Sequence, residues 1–194
     1  MYKLILDTAT KNLYVRLIKD NLVIDERYIC GKNDHAKNIL TTIDDILNKE
    51  GIKVTMLDSI ICGVGPGSYT GVRMSVTVGK MIACNSNVKL YGISSLYLMS
   101  SGYDGKVLSL IDARRGNSFC SSYVSDEIEC EDLLRDTSLF IDSHKDYFIV
   151  DENNMRVNPL KVINKALVCN NPHGFVPNYL RETEAERNLN DKAI

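Results

Sequence analysis

The sequence predicts an α/β protein built in two parts, and three stretches carry that reading. Leu57 and Ile60–Cys62 read as a buried strand. Gly63, Gly65, Pro66, Gly67 and Gly71 then interrupt any regular element, and a helical pattern takes over from about Gly71 to Cys84. Before this stretch, short apolar runs separated by tight turns predict three antiparallel strands between Tyr2 and Tyr28. After it, Ser101-Gly102-Tyr103-Asp104-Gly105 marks a break. That break divides residues 1–101 from a smaller half, 102–194, whose tail is polar from about residue 182.

Along the first half, Tyr2–Leu6 is apolar enough to be buried on both sides and ends at Asp7-Thr8-Ala9-Thr10. Leu13, Val15 and Leu17 alternate with polar residues. Lys19-Asp20-Asn21 turns the chain into Leu22, Ile24 and Tyr28. Asp34 is the expected N-cap of a helix from His35 to about Glu50, closed by Gly51. Its Ala36, Ile39, Leu40, Ile43, Ile46 and Leu47 form a single core-facing stripe. Met56–Cys62 is the next strand, and Val88–Ile93 another. Ser94 or Ser95 caps a short third helix through Leu96, Leu98 and Met99.

In the second half, Lys106–Ile111 opens a new sheet and Asp112–Asn117 is a hairpin loop into Ser118–Val124. A short helix is expected at Glu131–Arg135 and a strand at Tyr147–Val150. Pro159 opens a helix carrying Leu160, Val162, Ile163, Ala166 and Leu167.

The helix after the glycine loop is unusual. Val72, Met74, Val76, Val78, Met81 and Ile82 surround it, with Arg73 and Lys80 as its only charges. A helix apolar nearly all round must be covered on more than one side, and in a small chain one side can be its own sheet and the other a partner. Strand, glycine loop and helix together are also the shape that cradles phosphate at a helix N-terminus. The spacing fits neither the phosphate-loop motif, since Val72-Arg73 follows Gly71, nor the dinucleotide fingerprint, since Thr70 stands at the third-glycine position. A tight structural turn that lets helix and strand pack closely is the competing reading.

Composition excludes several classes. With 44% hydrophobic and 25% charged residues the chain is an ordinary globular protein. A net charge of -2 argues against capture of RNA by a bulk positive field. An independent RNA-binding reading would need Arg114, Arg115, Lys161, Lys165 and Arg181 to gather on one side. No stretch approaches a membrane span, and the six scattered cysteines lack any C-x-x-C pair, so a reduced, cytoplasmic protein is expected.

Five segments stand in a telling order: Ile5-Leu6-Asp7-Thr8-Ala9-Thr10, the helix opening at His35, Gly65-Pro66-Gly67-Ser68-Tyr69-Thr70-Gly71-Val72-Arg73, Ile111-Asp112-Ala113-Arg114-Arg115-Gly116, and Pro177-Asn178-Tyr179-Leu180-Arg181. Together they closely resemble the TsaB (YeaZ) family over nearly the whole chain. The resemblance implies an actin-like (ASKHA, ribonuclease H-like) fold with mixed sheets and a reduced second subdomain. It implies an accessory subunit without catalysis of its own. Such a subunit pairs with a TsaD-like paralogue, is joined by a TsaE-like ATPase, and supports N6-threonylcarbamoyladenosine formation at adenosine 37 of tRNA. ATP and a metal ion are then expected on the partner subunits and no cofactor on this chain. A homodimer is expected when the chain is alone, with tRNA met only through the complex and no membrane.

TsaD-like proteins hold their metal through an H-x-x-x-H pair, and the matching positions here fall near Ser95 and Met99. Neither a hydroxyl nor a thioether replaces imidazole as a ligand, and His35, His144 and His173 form no local pair. The family's partner contact is made by the first two helices. The expected interface residues are accordingly Ile39, Ile43, Leu47, Val72, Arg73, Val76, Val78, Gly79, Lys80 and Ile82. Candidate phosphate or nucleotide contacts are Asp7, Thr8, Gly65, Gly67 and Ser68; the superfamily's first phosphate turn normally has a glycine where Thr8-Ala9 stands. The alternative is an active enzyme of the same superfamily, a small-molecule kinase or a metallopeptidase.

Overall fold

A computed structural model describes residues 1–31 and 35–180. The first strands, β1 (Tyr2–Asp7), β2 (Asn12–Lys19) and β3 (Leu22–Cys30), form the expected antiparallel meander. The turn between β2 and β3 places Asp20 and Asn21 at φ of 49° and 69°, a left-handed pair that suits a two-residue hairpin. Helix α1 (His35–Lys49) leads to β4 (Leu57–Gly63), parallel to β1. Helix α2 (Tyr69–Cys84) leads to β5 (Lys89–Ile93), parallel to β4, and α3 (Ser95–Ser100) follows. The expected cap Asp34 lies outside the described residues, as does the tail beyond residue 180.

The second sheet is made by β6 (Lys106–Asp112), β7 (Asn117–Val124), β8 (Glu127–Asp136) and β9 (Phe148–Val150), in the order β8-β7-β6-β9, with α4 (Thr137–Ser143) before β9. The helix expected at Glu131–Arg135 is therefore strand. Leu133 and Leu134 sit opposite Cys120 and Phe119 on β7, and this long cross-strand pairing outweighs the helical propensity of an acidic five-residue stretch. A second correction concerns α5 (Pro159–Lys165), which stops short of Leu167. Leu167–Cys169 is instead strand β10, antiparallel to β5. The first sheet thus reads β10-β5-β4-β1-β2-β3, and the 102–194 half is not confined to its own sheet.

Strand β1 is buried on both faces, which is why its apolar residues do not alternate with polar ones. Leu4 and Leu6 look toward α1 and α2, packed with Ile39, Ile46, Val76 and Ile82. Ile5 looks the other way, with Ile61 of β4, Leu98 of α3, Tyr123 of β7 and Val162 of α5. A third cluster joins the two halves: Ala9 and Val72 meet Leu96, Met99, Ile111, Ala113 and Phe119, with Leu180 against them.

Candidate functional site on the glycine loop and the second helix

The end of β1, the glycine loop and the start of α2 form one hydrogen-bonded knot. Asp7 is 4% exposed; its Oδ1 accepts from Ala9 N at 2.9 Å and its Oδ2 from Ser95 Oγ at 2.5 Å. Ser95 Oγ in turn accepts from Gly65 N at 3.1 Å. Thr8, fully buried, donates from Oγ1 to Gly71 O at 2.6 Å and accepts from Ser75 N at 3.2 Å. Ser68 N donates to Ala9 O at 2.7 Å, and Ser68 Oγ caps α2 by accepting from Gly71 N. A Cβ on Gly63 would overlap Asp7 Oδ2, and one on Gly71 would overlap the Thr8 carbonyl. These glycines exist because two pieces of backbone touch there.

This geometry places the five candidate phosphate contacts. Asp7, Thr8 and Gly65 are buried against the chain's own groups, Gly67 lies half-buried beside Ala9, and Ser68 alone is exposed. The Gly65, Ser68 and Gly71 amides are each taken up within the chain, by Ser95 Oγ, Ala9 O and Ser68 Oγ.

What covers α2 is mainly the chain itself. The sheet and α1 take one side. The C-terminal segment takes another: Lys80 Nζ donates to His173 O at 2.8 Å, and Asn178 N donates to Val64 O at 2.7 Å. Phe175 fills the hollow left by Gly92. Of the ten expected interface residues, Ile39, Ile43, Leu47, Val72, Val76, Val78, Gly79 and Ile82 are buried in the core, so their side chains are not available to a partner. Segment 172–180 covers a second side of the helix, which the sequence pattern around Pro172 and Pro177 did not reveal. Lys80 is half-buried; Arg73 is exposed.

The face that α2 does present runs through Tyr69, Arg73, Thr77 and Met81, four residues apart and all exposed, and ends at Cys84. Arg73 Nη1 donates to Tyr69 Oη at 3.1 Å and its guanidinium lies 5.2 Å from the Tyr69 ring centre. The Tyr69 and Tyr179 rings stack at 5.1 Å. Leu40 of α1, half-exposed, lies on the same side of the sheet. The four-residue spacing of the larger and polar side chains was the signal for this face.

The two positions corresponding to the TsaD-type metal ligands are structural here. Ser95 and Met99 are each 1% exposed, the first bonded to Asp7 and the second packed in the cluster between the halves. These residues do not fit a metal ion. Among the described residues no three His, Cys, Asp or Glu side chains group to hold one. The basic residues do not gather either: Lys161 pairs with Asp104 and Asp126, and Lys165 with Glu127. Arg114 and Arg115 stand apart at the β6–β7 turn, and Arg181 is outside the described residues.

The family model for TsaD, tRNA N6-adenosine threonylcarbamoyltransferase, matches residues 30–138, more than half the chain. A Bacillus subtilis protein named tRNA threonylcarbamoyladenosine biosynthesis protein TsaB is 29% identical across 94% of this chain and 95% of its own length. The chain belongs to the TsaB (YeaZ) family. The Escherichia coli TsaB is 34% identical over 129 residues, which cover 64% of this chain and 55% of that one. Similarity to the Bacillus TsaB thus extends through the C-terminal half, whereas the match to the Escherichia coli TsaB is partial. The solved structure of YeaZ from Pseudomonas aeruginosa superposes with a TM-score of 0.73 at 21% identity, over 92% of this chain and 99% of that one. That likeness establishes the mixed two-sheet α/β fold of YeaZ.

Proposed function

We propose that this chain is an accessory, non-catalytic subunit in N6-threonylcarbamoyladenosine modification of tRNA adenosine 37, acting by pairing with a TsaD-like paralogue. The observation that carries this reading is the use made of Ser95 and Met99. In a fold whose catalytic relatives place metal ligands at this point, one residue ties Asp7 to the glycine loop and the other fills the core. The same knot spends the acidic residue that a phosphate-transferring relative would direct at its nucleotide. An active kinase or metallopeptidase has no supporting cluster among the described residues.

In this reading the knot has a mechanical role. It locks the N-terminus of α2 to β1, so that Tyr69, Arg73, Thr77 and Met81 are held as a rigid docking face. The paralogue, or a second copy when the chain is alone, packs against that face and the neighbouring part of α1. ATP and metal reside on the partners, a TsaE-like ATPase joins the pair, and tRNA is met by the assembly in the cytoplasm. No described helix is long and apolar enough to cross a membrane.

The test is depletion of the protein in its own cell, followed by mass spectrometry of digested tRNA nucleosides and rescue with wild type or Met81→Glu. Loss of threonylcarbamoyladenosine, restored by wild type and not by Met81→Glu, supports the proposal. Modification that persists at its normal level after depletion overturns it.

A further inference from the structure

On the sheet face opposite α1 and α2, four side chains of neighbouring strands stand in register: Tyr14 across from Tyr28, and Arg16 across from Glu26. The segment Met155–Val157 closes this face from above and leaves a groove of about 480 Å³. That volume is within the range of small-molecule sites. Arg16 is 7% exposed. Its Nη1 donates to Val157 O at 3.0 Å and its Nη2 to Glu26. Its Nε is buried without a hydrogen-bond partner, and the Tyr14 hydroxyl is buried against Glu26. Arg156, exposed, lines the rim.

The arrangement is costly for a chain that uses it only as structure. A guanidinium is held in the interior with one donor unmet, and a tyrosine hydroxyl is left beside it. Its one carboxylate partner, Glu26, is 42% exposed and therefore screened. The lining carries two guanidinium groups, Arg16 and Arg156, and one carboxylate, Glu26, beside a pair of tyrosine rings packed edge to face at 5.9 Å. An unmet guanidinium donor, a second guanidinium at the rim and a mainly polar lining together describe a receptor for a negatively charged oxygen group on a small organic body.

We propose that this groove binds a small oxyanion, a carboxylate or a phosphate. Arg16 and Arg156 hold its charge, and Tyr28 and Met155 pack on its body. The site is separate from the α2 face, and the inference does not depend on the function proposed above.

The probe is the Arg16 Nε–H resonance in a nitrogen-15-labelled full-length chain. It is titrated with inorganic phosphate and, separately, with benzoate, each against sodium chloride at equal ionic strength. A saturable shift with phosphate alone assigns a phosphate-bearing ligand, and one with benzoate alone assigns a flat carboxylate. A shift with both assigns the oxyanion without preference for the body. Arg16 belongs to the core and its replacement would test folding, so the variant to use is the exposed Arg156→Ala. It is expected to weaken binding roughly three-fold, the weight of one partly exposed charge pair. No saturable shift with either probe, or a saturable shift that Arg156→Ala leaves unchanged, overturns the proposal.

Discussion

The Tyr69 ring at the start of α2 stacks on the Tyr179 ring at the end of the described chain, with centroids 5.1 Å apart and planes 28° from parallel. This pair fixes the C-terminal segment across the helix. In a double-mutant cycle of Tyr69→Ala and Tyr179→Ala, a coupling of about 1 kcal/mol is expected, as for other aromatic pairs. Urea unfolding of the four proteins measures it, and strict additivity would mean that the segment is held by Phe175 and Asn178 without the stack.

The split between the buried and outward sides of α2 separates folding from pairing. Thr77→Arg and Met81→Glu alter exposed positions and should shift stability by no more than about 0.5 kcal/mol. They should nevertheless abolish co-elution with a TsaD-like partner in gel filtration. Val78→Glu, at a position 4% exposed, places a carboxylate in the core and should unfold the chain. Normal co-elution of both surface variants would move the interface off this helix.

Gly71 and Gly116 test two different uses of glycine. Gly71→Ala drives a Cβ into the Thr8 carbonyl, and both elements carrying that contact are fixed by hydrogen bonds. A loss above about 3 kcal/mol is expected. Gly116, at φ of 75° in the β6–β7 turn, has open space around it, so Gly116→Ala should cost only about 1 kcal/mol through backbone strain. Chemical denaturation of the two variants compares them directly.

Asp132 of β8 carries the clearest pH signature. Burial pushes its carboxyl up to about 6, against a hydrogen bond from Ser94 Oγ at 3.0 Å that favours the charged form. Its ordinary value is 3.8, so between roughly pH 4 and pH 6 the folded chain holds more protons than the unfolded one. Asp132 therefore lowers stability as pH rises through that window and holds the loss above it. Asp132→Asn keeps an acceptor for Ser94 and removes the charge. It should stabilise the protein by about 1–2 kcal/mol at pH 7 and by almost nothing at pH 4. Thermal melts across that range give the difference.

Element order and a serine cap at Ser94 or Ser95, which the fold places at Ser94, were legible because each rests on local chemistry: alternation, turn residues and a hydroxyl one turn before a free N–H. The family segments were legible as well, from their wording and order. Three things were hidden, each decided by distant residues. Leu133 and Leu134 are strand because β7 lies beside them. Leu167 is strand because the edge of β5 is open to it. The outward face of α2 depends on a C-terminal segment roughly a hundred residues away. A hydropathy pattern shows that such a helix needs cover but not whose chain supplies it. That is why Val76 and Val78 were expected to meet a partner and instead meet the core.

Strand β10 gives the chain a temporal order. It completes the first sheet from the far end of the sequence, after the whole second sheet and α5 have been made. During synthesis the edge of β5 waits unpaired, and the hollow at Gly92 stays empty until Phe175 arrives. Residues 1–101 are thus a sheet lacking its last strand, with an open edge and an uncovered α2. A ribosome that stalls in the final fifth of the message leaves a product whose fault lies at its beginning.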